Sequence, residues 1–168
     1  LFDAFAPKSG WRSYALQDLC EVKGGRQRNP DKTKGINSYK YLRPANIKRG
    51  SLRLNDINQM DFLDSELIIY KLKVGDVLLV EGGEAEDVGD SVIWGNELGE
   101  TVCFQNTLIR LRVAAGSINT NTLFWLATYL HRSGRFRALA AGTKIKHIGT
   151  NNTAKMKLKL PEEISDLD

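Results

Sequence analysis

"LKVGDVLLVEGG", Leu72 to Gly83, is the stretch from which the fold can be read. Four consecutive apolar residues, Val77–Val80, stand between Gly75–Asp76 on one side and Gly82–Gly83 on the other. The run is too short for a helix and does not alternate, so it reads as a strand buried on both faces. Asp76 is expected to cap the turn that leads into it. Val77, Leu78 and Leu79 should then form a central strand, with Ile109 and Leu111 as further core members.

Outward from this strand the chain reads as one mixed, sheet-rich domain. "WRSYALQDLCEVKGG" (11–25) suggests a short strand, a helical turn and a second strand stopped by Gly24–Gly25. The polar, Gly/Pro-punctuated stretch from Gly24 to Ser38 is a long loop, of a kind that more often carries function than mere connection. "YKYLRP" (39–44) is a strand ending at Pro44, and "GSLRLN" (50–55) another strand after a turn. "VGDSVIWG", "TVCFQ" and "TLIRLRV" supply three more short strands. The period then changes: in "NTNTLFWLATYLHRSG" (119–134), Leu123, Leu126, Ala127 and Leu130 share one helical face, behind an Asn or Thr cap. "RFRALAAG" reads as a second short helix, and Lys155–Leu160 alternates as a half-exposed strand would. The expected class is α+β, with a mostly antiparallel sheet, short helices, and the main helices in the C-terminal third. Residues 1–10 are expected to be a tail or the end of a preceding element, and 11–161 the single domain. The first residue is not Met, so a fragment of a longer protein is expected.

The 168 residues are 42% hydrophobic and 26% charged, too apolar for disorder. No apolar run is long enough to cross a bilayer and no secretory signal is evident, so a cytoplasmic location with no membrane partner is expected. Cys20 and Cys103 sit in apolar contexts and are expected as buried, reduced thiols.

Net charge is only +4, but it is unevenly spread. Lys23 to Arg53 contains ten cations against Asp31 alone, and Arg132 to Lys159 contains eight and no acid. Between them, Leu54 to Glu100 holds twelve carboxylates against Lys71 and Lys73. This pattern suggests a bipolar molecule whose two basic blocks form one face toward a phosphate backbone, with the acids elsewhere. "YLRPANIKRG" (41–50) concentrates Arg43, Lys48 and Arg49 just after Lys40. It reads as a turn anchored by Tyr41 and Leu42 that presents cations.

Catalytic motifs are missing. His131 and His147 have no metal-site spacing with the two cysteines, and no G-x-S-x-G, P-loop or G-x-G-x-x-G occurs. Asp76 and Glu81 lack the lysine that a Mg²⁺ nuclease of the Asp, Glu-x-Lys type would need, since Gly83 stands in its place. The chain does not read as an enzyme by itself.

"WRSYALQDLCEVKGG", "YKYLRPANIKRGSL", "LKVGDVLLVEGG", "VGDSVIW", "FQNTLIRLR" and "GTKIKHIG" follow one another in an order that resembles the target-recognition domain of type I restriction–modification DNA-specificity subunits. The resemblance covers about Trp11 to Pro161. It implies a curved sheet whose loops read one half of a bipartite sequence in double-stranded DNA, for a phage-defence complex. It also implies a methyltransferase subunit and a restriction subunit as partners, with S-adenosylmethionine, Mg²⁺ and ATP held by them and no cofactor in this chain. Residues 162–168 would begin a spacer helix or a tail. The isolated domain is expected to be monomeric and to bind DNA weakly. A target-recognition domain of a fused restriction–methyltransferase, or of a phage-defence methyltransferase, fits the same residues. So does a sequence-indifferent or RNA-binding domain, and an undetected Mg²⁺ nuclease is the remaining rival.

Arg and Lys suit guanine, and Asn and Gln suit adenine, as bidentate partners in the major groove. The candidate DNA contacts are therefore Arg26, Gln27, Arg28 and Asn29 on the first loop; Arg43, Asn46, Lys48 and Arg49 around the Pro44 turn; and Lys144, Lys146, His147, Asn151 and Asn152 near the C-terminus. Most of the cations are expected on phosphate. Trp11, Tyr41, Trp94, Phe104, Phe124 and Trp125 are expected in the core.

Overall fold

Val77–Val80 forms strand β7, and all four of its residues are buried. A computed structural model describes residues 9–27, 35–141 and 146–161. β7 lies inside a four-stranded antiparallel sheet in the order β2 (Cys20–Gly24), β11 (Leu108–Val113), β7, β9 (Ser91–Ile93). The uninterrupted apolar run follows from this position, because both faces of the sheet are covered. On one face Val77, Leu79, Ile109 and Leu111 meet Leu123, Leu126, Ala127 and Leu130 of helix α2 (Thr120–Arg132). On the other, Leu78, Val80 and Leu108 meet Leu42, Ile47, Trp94 and Phe104. Asp76 caps the entry turn, as expected: its Oδ2 accepts from the Lys73 amide at 2.7 Å. It is also gripped by both Nε and Nη2 of Arg112.

Around this sheet stand smaller ladders. β1 (Arg12–Ala15) pairs antiparallel with β13 (Lys157–Leu160), whose alternating exposure buries Leu158 and Leu160. β3 (Ser38–Leu42) lies between β6 (Asn58–Asp61), antiparallel, and β10 (Val102–Phe104), parallel. β4 (Ile47–Lys48) and β5 (Ser51–Leu52) form a hairpin. β8 (Gly82–Gly83) pairs with β12 (Lys146–His147). The architecture is mixed α+β and mostly antiparallel, spread over several open sheets. α2, α3 (Arg135–Leu139) and α4 (Thr150–Ala154) occupy the C-terminal third. Asn119 caps α2 by accepting from the Thr122 amide at 2.8 Å.

One element lies in a stretch for which the sequence offers no reading: α1 (Asp64–Tyr70), between β6 and β7. Its start is held by Glu66, whose Oε2 accepts from the Leu63 amide at 2.9 Å. Trp125 is not in the core: it is 40% exposed, with its ring tilted against Phe124. The thiols of Cys20 and Cys103 are buried and free, and burial pushes each up to about 12. Among the described residues no helix is long and apolar enough to cross a membrane.

Candidate nucleic-acid interface

β7 runs on through Glu81 into Gly82–Gly83; two candidate segments flank this glycine pair, and a third lies beside one of them. β12 pairs directly with it, Lys146 opposite Gly83 and His147 opposite Gly82. A Cβ on Gly82 would run into the His147 ring, so any side chain there would push the ring from its place. On the other side, a groove of about 240 Å³ separates Gly82–Gly83 from Pro44, Ile47, Lys48 and Arg53. The third segment arrives through Gly24, where a Cβ would stand 2.7 Å from Thr150 Oγ1 at the start of α4. The first loop therefore departs beside α4, on which Asn151 and Asn152 are exposed.

The hairpin between β4 and β5 turns through Arg49 (φ 54°) and Gly50 (φ 72°). Two successive left-handed residues make the tight turn that suits a two-residue hairpin. For Arg49 this backbone conformation is strained. Asp90 holds the tip by accepting from the Gly50 amide at 2.9 Å, and Arg49 is exposed there. Lys48 is gripped by both oxygens of Asp87, at 2.6 and 2.8 Å. That hydrogen bond, against an opposing desolvation and with help from the charges of Asp87, Glu84 and Glu86, raises the Lys48 ammonium above its usual range.

Other candidates are turned inward. Arg26 is 9% exposed. Its Nε donates to Glu66 Oε1 at 2.8 Å, and its guanidinium lies over the Phe62 ring at 5.1 Å. Asn46 is 1% exposed. Its amide donates to the Arg53 and Asp56 carbonyls and accepts from the Arg43 amide, so it builds the Pro44 turn. Arg43 is ion-paired with Asp56 at 2.5 Å. Gln27 is exposed at the mouth of the first loop. Arg28, Asn29 and Lys144 lie outside the described residues.

The bipolar charge expectation is therefore corrected. The acidic middle segment does not lie apart from the first basic block: Glu66, Asp56, Asp87 and Glu100 pair with Arg26, Arg43, Lys48 and Lys40. The parallel pairing of β3 with β10 sets Lys40 near Glu100, the anchoring of the β4–β5 hairpin by Asp90 sets Lys48 near Asp87, and Arg43 meets Asp56 across its own turn. Arg53, on the groove, and Glu81, behind it, were not among the residues expected at this site. The glycine pair after Glu81 was the available signal, since glycine at a strand end often marks close backbone approach.

Nor do Asp76 and Glu81 form a nuclease pair. They stand at opposite ends of β7, five residues or about 16 Å of extended chain apart. Among the described residues no three His, Cys, Asp or Glu side chains are placed to hold a metal ion.

A two-sided central sheet surrounded by short ladders, with polar segments flanking Gly82–Gly83, defines a mixed α+β domain. Residues 8–165 match the family model described as the type I restriction modification DNA specificity domain, and the chain belongs to that family. It is thus a DNA-specificity domain, a recognition module and not an enzyme. Solved structures agree in fold. An S subunit of a type I restriction–modification system from M. genitalium is 12% identical with a TM-score of 0.59, over 94% of this chain and 36% of that one. The HsdS subunit from Thermoanaerobacter tengcongensis is 17% identical with a TM-score of 0.60, over 96% and 36%. A chain from a study of complex assembly and conformational transition of the type I R-M system is 16% identical with a TM-score of 0.64, over 97% and 38%. The chain thus spans little more than a third of the length of these structures. No curated protein sequence matches it.

Proposed function

We propose that this domain reads one half of a two-part target in double-stranded DNA, on behalf of a cytoplasmic type I restriction–modification complex. The observation that carries the reading is the flanking of Gly82–Gly83 by two polar segments, with the mouth of the first loop beside one of them at α4. Lys48, Arg49 and Arg53 on the hairpin side suit phosphate, which positions a protein on the duplex without reading it. Gln27, Lys146, His147, Asn151 and Asn152 offer donors and acceptors suited to base edges. S-adenosylmethionine, Mg²⁺ and ATP belong, in this reading, to the methyltransferase and restriction subunits. This domain supplies the address. Alone it is monomeric and binds weakly, since it neutralises few phosphates and has no second half-site.

The test is methylome sequencing of a host with and without the full gene, followed by exchange of the Gly24–Ser38 loop for that of another specificity domain. The expected result is a two-part methylated sequence in which the exchange alters one half while the enzyme stays active. An exchange that changes only the rate of methylation would remove the first loop from the reading surface.

A further inference from the structure

Glu81 ends the central strand, and all of its acceptors are turned on one neighbouring segment. Its carbonyl accepts from the Ile148 amide at 3.1 Å. Its Oε1 accepts from the Gly149 amide at 3.2 Å, and Oε2 stands 3.0 Å from His147 Nδ1. The Glu81 amide donates to the carbonyl of Thr107, the residue just before β11, so Glu81 is itself fixed to the central sheet. Gly149 (φ 71°) then starts α4: its carbonyl accepts from both the amide and the hydroxyl of Thr153. Glu81 thus helps set the place of Gly149, from which α4 and its exposed Asn151 and Asn152 start, while Thr150 rests against Gly24 of β2.

A carboxylate beside a surface that approaches phosphate is electrostatically unfavourable. Its place there is explained by geometry rather than charge. The side chain is only 13% exposed, so it is poorly placed to meet DNA itself.

We propose that Glu81 is a positioning residue for base discrimination, setting the direction in which Lys146, His147, Asn151 and Asn152 project without itself contacting a base. The inference rests on the reading above, and charge and geometry can be separated. Glu81→Gln and Glu81→Ala remove the same charge, but only Gln keeps an acceptor for Gly149 and a partner for His147. In the full-length specificity subunit assembled with its methyltransferase, two duplexes are compared: the methylated target, and the same duplex with one base pair changed in this half-site. Glu81→Ala is expected to lower the ratio of the two affinities about tenfold. Glu81→Gln is expected to stay within about twofold of the unaltered protein. Hydrogen exchange without DNA is the second measurement: amides of His147 to Thr153 should exchange faster in the Ala variant than in the Gln variant, with Val77–Val80 unchanged. Equal behaviour of the two variants in both measurements overturns the proposal, because it leaves charge alone as the cause. Faster exchange in the Ala variant, together with an unaltered protein that does not distinguish the duplexes, upholds the positioning and overturns the base-reading function instead.

Discussion

The hairpin Ile47–Leu52 and the segment Lys146–Asn152 flank the same glycine pair, yet they are held in opposite ways. The hairpin is fastened by ionic contacts from the acidic loop after β8: Asp87 on Lys48 and Asp90 on the Gly50 amide. The C-terminal segment is fastened mainly through its own backbone: it pairs with Gly82–Gly83, bonds to Ala141, and donates the Ile148 and Gly149 amides to Glu81. The first arrangement occupies a cation that would otherwise meet phosphate. The second leaves the polar tips of Asn151 and Asn152 exposed. The difference separates two tasks: the hairpin side sets how strongly charge draws the domain to any duplex, and the segment side sets which duplex it prefers.

The largest expected effect comes from the strand beneath both. Leu78 shares a cluster with Ile47, whereas Leu79 shares one with Ile148. Both are fully buried, so Leu78→Ala and Leu79→Ala should each cost about 2–5 kcal/mol in chemical denaturation. Hydrogen exchange should tell them apart: Leu78→Ala should loosen the hairpin more, and Leu79→Ala the segment around Ile148. Equal loosening of both would mean that the two elements are not supported from opposite faces of one strand.

Next in size is discrimination at a single base pair. Asn152→Ala, and separately Gln27→Ala, should each cost about 1–3 kcal/mol at one position of the target and little elsewhere. Binding to a panel of single-base-pair variants by the assembled enzyme measures this. A uniform loss across the panel would assign either residue to phosphate and blur the division between the two sides.

How much of this could be read beforehand depends on how local the physics is. Val77–Val80 was legible because burial on both faces leaves an unbroken apolar run. The α2 face was legible because Leu123, Leu126, Ala127 and Leu130 recur at helical spacing, and β13 because Leu158 and Leu160 alternate with Lys157 and Lys159. α1 was not, since Ile68 points outward at 83% exposure and spoils the apolar stripe of a seven-residue helix. The site was legible as a set of loops but not as a set of side chains. Arg26 and Asn46 have the composition of DNA contacts, but Arg26 is turned inward by Glu66, 40 residues away, and Asn46 by the carbonyls of Arg53 and Asp56 across its own turn. Arginine inside a protein and arginine on DNA use the same guanidinium fork, so residue type alone cannot separate them.

The smallest expected effect is also the one that most directly probes the hairpin side. Lys48→Ala should weaken binding to all duplexes alike, and the slope of log affinity against log salt should become shallower by up to about one unit. Asp87→Asn should act in the opposite direction: it frees Lys48 for phosphate, raising affinity for unrelated duplexes and steepening the same slope. The discrimination between target and variant duplexes should hardly move. The ammonium of Lys48 is raised, so it remains charged through neutral pH, and both effects should be flat with pH in that range. Folded stability should scarcely change, because a solvent-facing ion pair contributes little. If Asp87→Asn instead weakened binding, Asp87 would be holding Lys48 in place for phosphate rather than competing for it. The two flanks of the glycine pair would then both be positioned by carboxylates, and the contrast between them would disappear.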